Sequence, residues 1–480
     1  MNVILYVMDA LRADHLSCYG YDRDISPNID ALANDGVRFE QCFSPATWTR
    51  PVASSLFTGL YPPAHGTETR NDLFSPSVQT LAERFQDAGY ETVGITTMGN
   101  VSSEVGFDRG FDRFFDLYRN DEVISKRRTS TPTEEELKQE DVDRVALPRA
   151  EDITDTFKEW LVGRDDDRPF FAFAWSIEPH MPYDPPPEFN DFLDPEYNGN
   201  VDGERETLKS VESASDLAQL VGLYDGEIAY NDHCIGTLVD FLRETGYFDN
   251  TLFSLVGDHG DAFKEHGRLT HGHAPYDELM QVPWIVRTPS PVSTADVADG
   301  LCSLIDVAPT LLDIATDGSL DPSVGIQGRP AMPGGPSGPL DREYVFSKTT
   351  SYDMQNTFYG VRSDNWKYIY IEQPAATPGN VLSTLRYVLD KGILTDIIWN
   401  PGHYLNRYLY DENQLLFDLQ SDPAETENLT DSHGDVRDRL QAEIDAWLEA
   451  CEALNKSTTD ASGKIGAETK EQLRQLGYTE

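Results

Sequence analysis

The chain has 480 residues, 83 acidic against 38 basic, and a formal net charge of −45. That length allows two or three domains around a large core. So negative a field excludes nucleic acid and anionic lipid as non-specific partners, and acid spread over the whole chain is the composition of a halophile's protein, where salt screens self-repulsion.

The apolar run Val3-Ile4-Leu5-Tyr6-Val7-Met8 ends in Asp9 and reads as a buried parallel strand. It begins too close to residue 1 for a positively charged leader, and no run reaches the ~18–20 apolar residues of a membrane span, so a cytoplasmic protein without a transmembrane segment is expected. Ser26 and Pro27 read as the N-cap and first residue of a helix. Thr49 heads another short helix, with Pro51 in its first turn. Residues 79–88 read as an amphipathic helix stopped by Gly89, with a strand over 92–97. The charged, Thr/Glu-rich stretch 119–150 is expected to be a surface insertion. A buried strand over 169–177, a helix over 217–243 and a strand over 251–256 follow, the last ending at Gly257-Asp258-His259-Gly260. A strand over 282–286 and a helix over 306–315 complete an alternation that predicts a doubly wound α/β sheet across 1–326. Residues 327–340 are Pro/Gly-rich and read as a linker. Beyond them, 341–480 carries strand patterns at 343–348, 357–362, 367–370 and 415–419 and a helix over 436–453, a smaller α+β domain. The five cysteines form no CxxC pair, which excludes a disulfide framework and a zinc–cysteine site; Cys42 reads as a small buried apolar residue.

In open α/β sheets, sites form where strands end at their carboxyl edge. Two predicted strand ends carry metal-type ligands: Asp9, and the pair Asp258 and His259. Carboxylate oxygens suit a hard divalent cation, and an imidazole shifts the choice toward Mn²⁺ or Zn²⁺. A Thr49 hydroxyl on the same cation would lose its proton more readily and become a better nucleophile. The helix N-terminus that Thr49 heads adds N–H donors and partial positive charge for an anionic ester. Taken singly, each residue has a blander reading: Asp at a strand end is commonly a turn or cap residue, and Thr before a helix is commonly its N-cap.

The joint pattern is more specific. The run Asp9-Ala10-Leu11-Arg12-Ala13-Asp14-His15, the helix from Thr49 through Leu56-Phe57-Thr58-Gly59 to His65-Gly66, the motif Gly257-Asp258-His259-Gly260, the run His271-Gly272-His273-Ala274-Pro275-Tyr276 and the later Leu416-Phe417-Asp418-Leu419 with Asp422-Pro423 occur in one order. In that order they resemble the sulfatase family, a branch of the alkaline phosphatase superfamily. The resemblance implies an alkaline-phosphatase-like sheet with a smaller C-terminal domain. It also implies one divalent ion held by Asp9, Thr49, Asp258 and His259, with Mn²⁺ or Ca²⁺ first and Zn²⁺ or Mg²⁺ as alternates. Asn71, His180 and His271 map onto positions that grip the ester oxygens, with His180 and His271 also placed for acid catalysis; their bland readings are turn, loop and surface residues. Arg12, Asp14 and His15 match too, as structural support or as substrate contacts.

This chain departs from the family at three positions. Thr49 stands where formylglycine-type sulfatases carry Cys or Ser, Ala53 where they carry Arg, and Ala10 where many have a second Asp. No formylglycine is therefore expected. The set Asp-Thr-Asp-His is closer to phosphonate monoester hydrolases and to lipoteichoic acid synthase, which uses an unmodified Thr. The expected reaction is cleavage or transfer of a phosphate- or sulfate-type ester through Thr49, on an anionic substrate linked to a glycan or a lipid head group. A sulfate-ester hydrolase or sulfuryl transferase, and a degenerate binding protein without catalysis, are the competing readings.

Overall fold

The structure, a computed structural model, describes residues 1–120, 123, 147–289, 296–319, 325–337, 341–351, 356–373 and 412–455. Most of the expected surface insertion, and the end of the expected linker, lie outside them.

The first apolar run forms β1 (Asn2–Met8), every residue of it buried. The strands that follow are β2 (Val37–Phe39), β3 (Cys42–Phe43), β4 (Glu91–Thr96), β5 (Arg113–Asp116), β6 (Phe170–Ser176), β7 (Thr251–Gly257), β8 (Ala262–Phe263), β9 (Leu269–Thr270), β10 (Trp284–Arg287), β11 (Asp296–Ala298) and β12 (Cys302–Ser303). An eight-stranded sheet has the order β11-β2-β10-β7-β1-β6-β4-β5. Strands β7, β1, β6, β4 and β5 are parallel, and β10 is antiparallel to both of its neighbours. Met8 pairs with Ser176 on one side and with Gly257 on the other. This register ends three central strands at one level, so Asp9 and Asp258 leave the sheet at the same edge.

Period-2 alternation then separates two cores. Val3, Leu5 and Val7 pack with α2 (Thr49–Thr58) and α3 (Leu81–Asp87), and with a helix over Val307–Ala315. Ile4, Tyr6 and Met8 pack on the other face with α1 (Pro27–Asn34) and the helices Ala150–Val162 and Ala214–Glu244. Helices on both faces bury the central strands completely, which is why those strands read as continuous apolar runs.

Local signals act with one exception. Thr80 and Glu83 close a capping box at the start of α3. Ser26 holds the N-cap position of α1 but makes no capping bond; its Oγ donates to Asp30 and accepts from Ser17. Asp232, from the 214–244 helix, accepts from the N–H groups of Asn28 and Ile29 instead. A carboxylate delivered by tertiary packing has taken over the cap.

A second sheet, β13 (Val345–Thr350), β14 (Thr357–Arg362), β15 (Trp366–Glu372) and β16 (Gln414–Asp418), is an antiparallel meander. The helix Gly434–Asn455 packs Leu440, Ile444, Trp447 and Cys451 on it and against Leu60, Tyr61 and Ala64 of the large unit. Between the two sheets the Pro/Gly-rich stretch is packed: Gln327 and Gly328 donate to Gly59 O, and Ala331 and Met332 enter the first core. Among the described residues no helix is long and apolar enough to cross a membrane.

Candidate active site

Asp9 follows β1 and Asp258 follows β7, and neither is exposed to solvent. Asp258 Oδ1 accepts from Ala10 N at 2.8 Å and from His259 N at 2.7 Å. To point its N–H there, Ala10 adopts φ 61°. A left-handed non-glycine residue costs of order 1–3 kcal/mol, strain of the kind stored at functional sites. The Tyr224 hydroxyl donates to Ala10 O at 2.7 Å and holds that turn. Trp175, the penultimate residue of β6, donates its indole N–H to Asp9 Oδ2 at 3.0 Å.

Thr49 is the first helical residue of α2, and Trp48, not Thr49, occupies the N-cap. Its hydroxyl is therefore not spent on capping. Thr49 Oγ1 lies 3.5 and 3.4 Å from the two oxygens of Asp9 and 3.4 Å from His259 Nε2. His259 Nε2 in turn lies 3.3 Å from Asp258 Oδ2 and 3.7 Å from Asp9 Oδ1. The four side chains named from the sequence meet at one buried point.

The charges at that point do not balance. Burial, and for Asp9 also the neighbouring Asp258, pushes both carboxyls well above the usual carboxylate range. Burial and His271 push His259 down to about 3, so its ring is neutral. His259 Nδ1 is placed to donate to Gly260 O at 3.0 Å, which leaves Nε2 presenting a lone pair to two carboxylates and a hydroxyl. Acceptors that face one another in a dry site need a cation between them. Asp258 Oδ2 is buried with no hydrogen-bond partner among the described residues, and ligand atoms of Asp9, Asp258 and His259 lie within 4.8 Å of one another. This donor set of oxygens and one imidazole fits a divalent ion.

His180 and His271 adjoin the cluster. Their rings are 4.8 Å apart, and that of His271 is 4.4 Å from His259. His180 Nδ1 lies 2.5 Å from Met181 O, and burial with neighbouring His271 holds its pKa well below the ordinary histidine value. His271 Nδ1 lies 2.5 Å from Asp261 Oδ1, and Asp261 Oδ2 accepts the Tyr183 hydroxyl at 2.5 Å.

Asn71 stands apart. It is exposed, and its backbone N–H donates to Thr69 Oγ1. Its loop is nonetheless tied to α2: the buried Arg50 guanidinium donates to Arg70 O at 2.5 Å and Asp72 O at 3.2 Å, on either side of Asn71. Arg50 also donates to Asn100 Oδ1 at 2.9 Å, and Asn100, fully buried, has an Nδ2 without a partner among the described residues. The buried amide at this edge is Asn100, because the 66–72 loop turns Asn71 outward while the loop after β4 turns inward. Arg12 pairs with Asp14 and Glu265 and donates to Asp261 O, and His15 pairs with Asp225.

Sequence reasoning missed Arg50, Asn100, Trp175, Tyr183 and Asp261. Asp261 lay inside the Asp258 motif and Arg50 beside Thr49, so proximity was a usable signal for both. Nothing local marked Asn100 or Tyr183.

Residues 1–317 match the family model described as Sulfatase. The arylsulfatase of Clostridium perfringens is 28% identical over 366 residues, 65% of this chain and 74% of that protein. The N-acetylglucosamine-6-O-sulfatase of Bacteroides thetaiotaomicron is 24% identical over 449 residues, 77% of this chain and 78% of that one. The crystal structure of the phosphonate monoester hydrolase of Agrobacterium radiobacter superposes with a TM-score of 0.70 at 19% identity, covering 94% of this chain and 96% of that one. The class so defined is a sulfatase-type hydrolase, on a fold that it shares with the phosphonate monoester hydrolase. Within that class, the chain belongs to the sulfatase family.

Proposed function

We propose that this protein cleaves or transfers a phosphate-type ester through Thr49 itself, unmodified, on an anionic substrate carried by a glycan or lipid-head-group precursor inside the cell. The observation that carries this reading is the Thr49 hydroxyl at the head of α2, 3.4–3.5 Å from Asp9 and His259. Formylglycine sulfatases release sulfate by collapse of a hemiester, which a threonine cannot form. A threonyl ester has to be broken by a second attack at the central atom, a requirement that suits phosphorus better than sulfur.

Asp9, Thr49, Asp258 and His259 would hold a divalent ion, Mn²⁺ or Ca²⁺ as the family resemblance implies, which when bound lowers the pKa of the Thr49 hydroxyl and offsets charge on the transferred group. Thr49 Oγ1 attacks phosphorus, the Oγ1–P bond forms and the bond from phosphorus to the leaving oxygen breaks. His180 or His271 supplies the leaving oxygen with a proton, which the proton shed by Thr49 offsets. The N–H groups and partial positive charge at the N-terminus of α2 stabilise the transferring oxygens. Water then frees the group from Thr49; a sugar or lipid hydroxyl in its place makes the enzyme a transferase.

Aryl phosphodiester, aryl phosphate and aryl sulfate, offered in parallel with Mn²⁺, test the reading. Turnover is expected to be fastest on a phosphorus ester, with a phosphoryl group on the Thr49 peptide after a rapid quench. Turnover of the sulfate alone would replace it with the second reading, a sulfate-ester hydrolase, which the sulfatases among its relatives favour.

A further inference from the structure

Two histidines adjoin the cluster that holds Thr49, and their supports differ. His180 Nδ1 rests on the neutral carbonyl of Met181, whereas His271 Nδ1 rests on the carboxylate of Asp261. Asp261 is fully buried and its second oxygen is fixed by Tyr183 OH, so both of its oxygens are directed. The backbone around His271 is equally constrained. Thr270, a β-branched residue, takes φ 65° and Gly272 takes φ 79°. Gly272 N donates to Thr47 O at 2.8 Å and Thr47 Oγ1 donates to His273 O at 2.9 Å. The loop that bears His271 is thus bonded directly to the segment that delivers Thr49, and a strained backbone is maintained on that side of the site.

We propose that Asp261 is a positioning residue for the second half-reaction, holding His271 in the tautomer and orientation in which it takes a proton from the water that frees Thr49. This rests on the reading of Thr49 as nucleophile. Nδ1–H is committed to Asp261, so proton exchange falls to Nε2, as in a carboxylate–histidine pair serving a nucleophile. The water proton passes to Nε2, the water oxygen bonds to phosphorus, the P–Oγ1 bond breaks, and Thr49 Oγ1 recovers the proton from the imidazole. Tyr183, raised well above the usual tyrosine range by burial and Asp261, stays a phenol and keeps donating to the carboxylate.

The probe is bis(p-nitrophenyl) phosphate with Mn²⁺, followed by stopped flow and by quenched intact-protein mass spectrometry. Asp261→Asn is expected to release one nitrophenolate per site at near-normal rate and then turn over ~10²-fold or more slowly, with a p-nitrophenylphosphoryl group accumulating on Thr49. Tyr183→Phe should give the same signature with a smaller slowing, and it keeps the test decisive if the first variant does not fold. Added imidazole should restore release of the group in His271→Ala. Slowing without a burst and without the adduct, or unchanged turnover, overturns the role of Asp261. Failure of Thr49 as nucleophile looks different: Thr49→Ala then turns over normally and no variant carries an adduct.

Discussion

Two acid clusters among the described residues invite comparison, a fully buried one at the edge of the large sheet and a largely buried one where the meander meets it. At the meander, Asp277 accepts Lys367 Nζ at 2.7 Å and Arg362 Nε at 3.3 Å, and Lys367 also pairs with Glu425 at 2.7 Å. Burial would raise Asp277, but Lys367 and Arg362 outweigh it and hold that carboxyl below the usual range. At the sheet edge, Asp9 and Asp258 have an indole, backbone N–H groups and a hydroxyl, and their only ion-pair partner among the described residues is the neutral His259. The meander cluster carries its own cations and holds two sheets together. The edge cluster is charge-deficient by construction, which is the arrangement of a site that admits a cation and an anionic ester.

The sharpest break in this comparison is Thr49→Ala. Loss of nucleophile and ligand together should reduce kcat by ~10⁴-fold or more on the true substrate, while Thr49→Ser retains part of it. Thermal unfolding should move little beside that loss; near-normal activity in Thr49→Ala would reduce Thr49 to a helix residue.

Next is the cation itself. Mn²⁺ at a hundredfold excess over its Kd should stabilise the wild type by about 2.7 kcal/mol, seen as a raised Tm, and a chelator should remove both that gain and activity. Asp258→Asn should lose that response, its affinity falling by more than ~10²-fold because a ligand and not merely a supporting group is removed. Without metal this variant should be at least as stable as the wild type, since it deletes an uncompensated buried carboxylate. A large destabilisation of metal-free Asp258→Asn would mean that the edge cluster is internally satisfied after all.

The same kind of substitution at the meander should behave in the opposite way. Lys367→Met leaves the buried Glu425 without a cation and Asp277 with Arg362 alone, and should cost ~3–5 kcal/mol in denaturant unfolding, with no rescue by Mn²⁺. Recovery of stability on adding metal would show that this cluster also binds cations.

The smallest effect concerns His65, buried between Ser55 Oγ at 3.0 Å and Thr67 N at 3.1 Å. Burial depresses its pKa to about 3. The unfolded chain takes up a proton near pH 6.5 that the folded state refuses until about pH 3. The stability this histidine contributes is therefore complete above pH 6.5 and declines below it, by about 1.4 kcal/mol per pH unit. Wild-type stability should fall faster than that of His65→Gln between pH 6.5 and 5; parallel curves would refute the assignment.

The sequence alone determined a good deal. Apolar runs ending in Asp9 and Asp258 marked strands, because strands buried on both faces need unbroken hydrophobicity. Thr49 before Pro51 marked a helix start, because proline tolerates only a first turn. The order of motifs then pointed to the family. What composition and spacing do not encode is which distant groups share a volume. The register Met8–Gly257 brings Asp9 and Asp258 level, and no local signal carries it. Capping of α1 by Asp232 across 204 residues, the outward turn of Asn71 against the inward turn of Asn100, and the pairing of Asp261 with His271 and Tyr183 are likewise long-range. Burial is what turns these neighbours into chemistry. In water the same acids and histidines would titrate independently, whereas in a dry sheet edge each one's charge is decided by the others, and only the folded chain sets those distances.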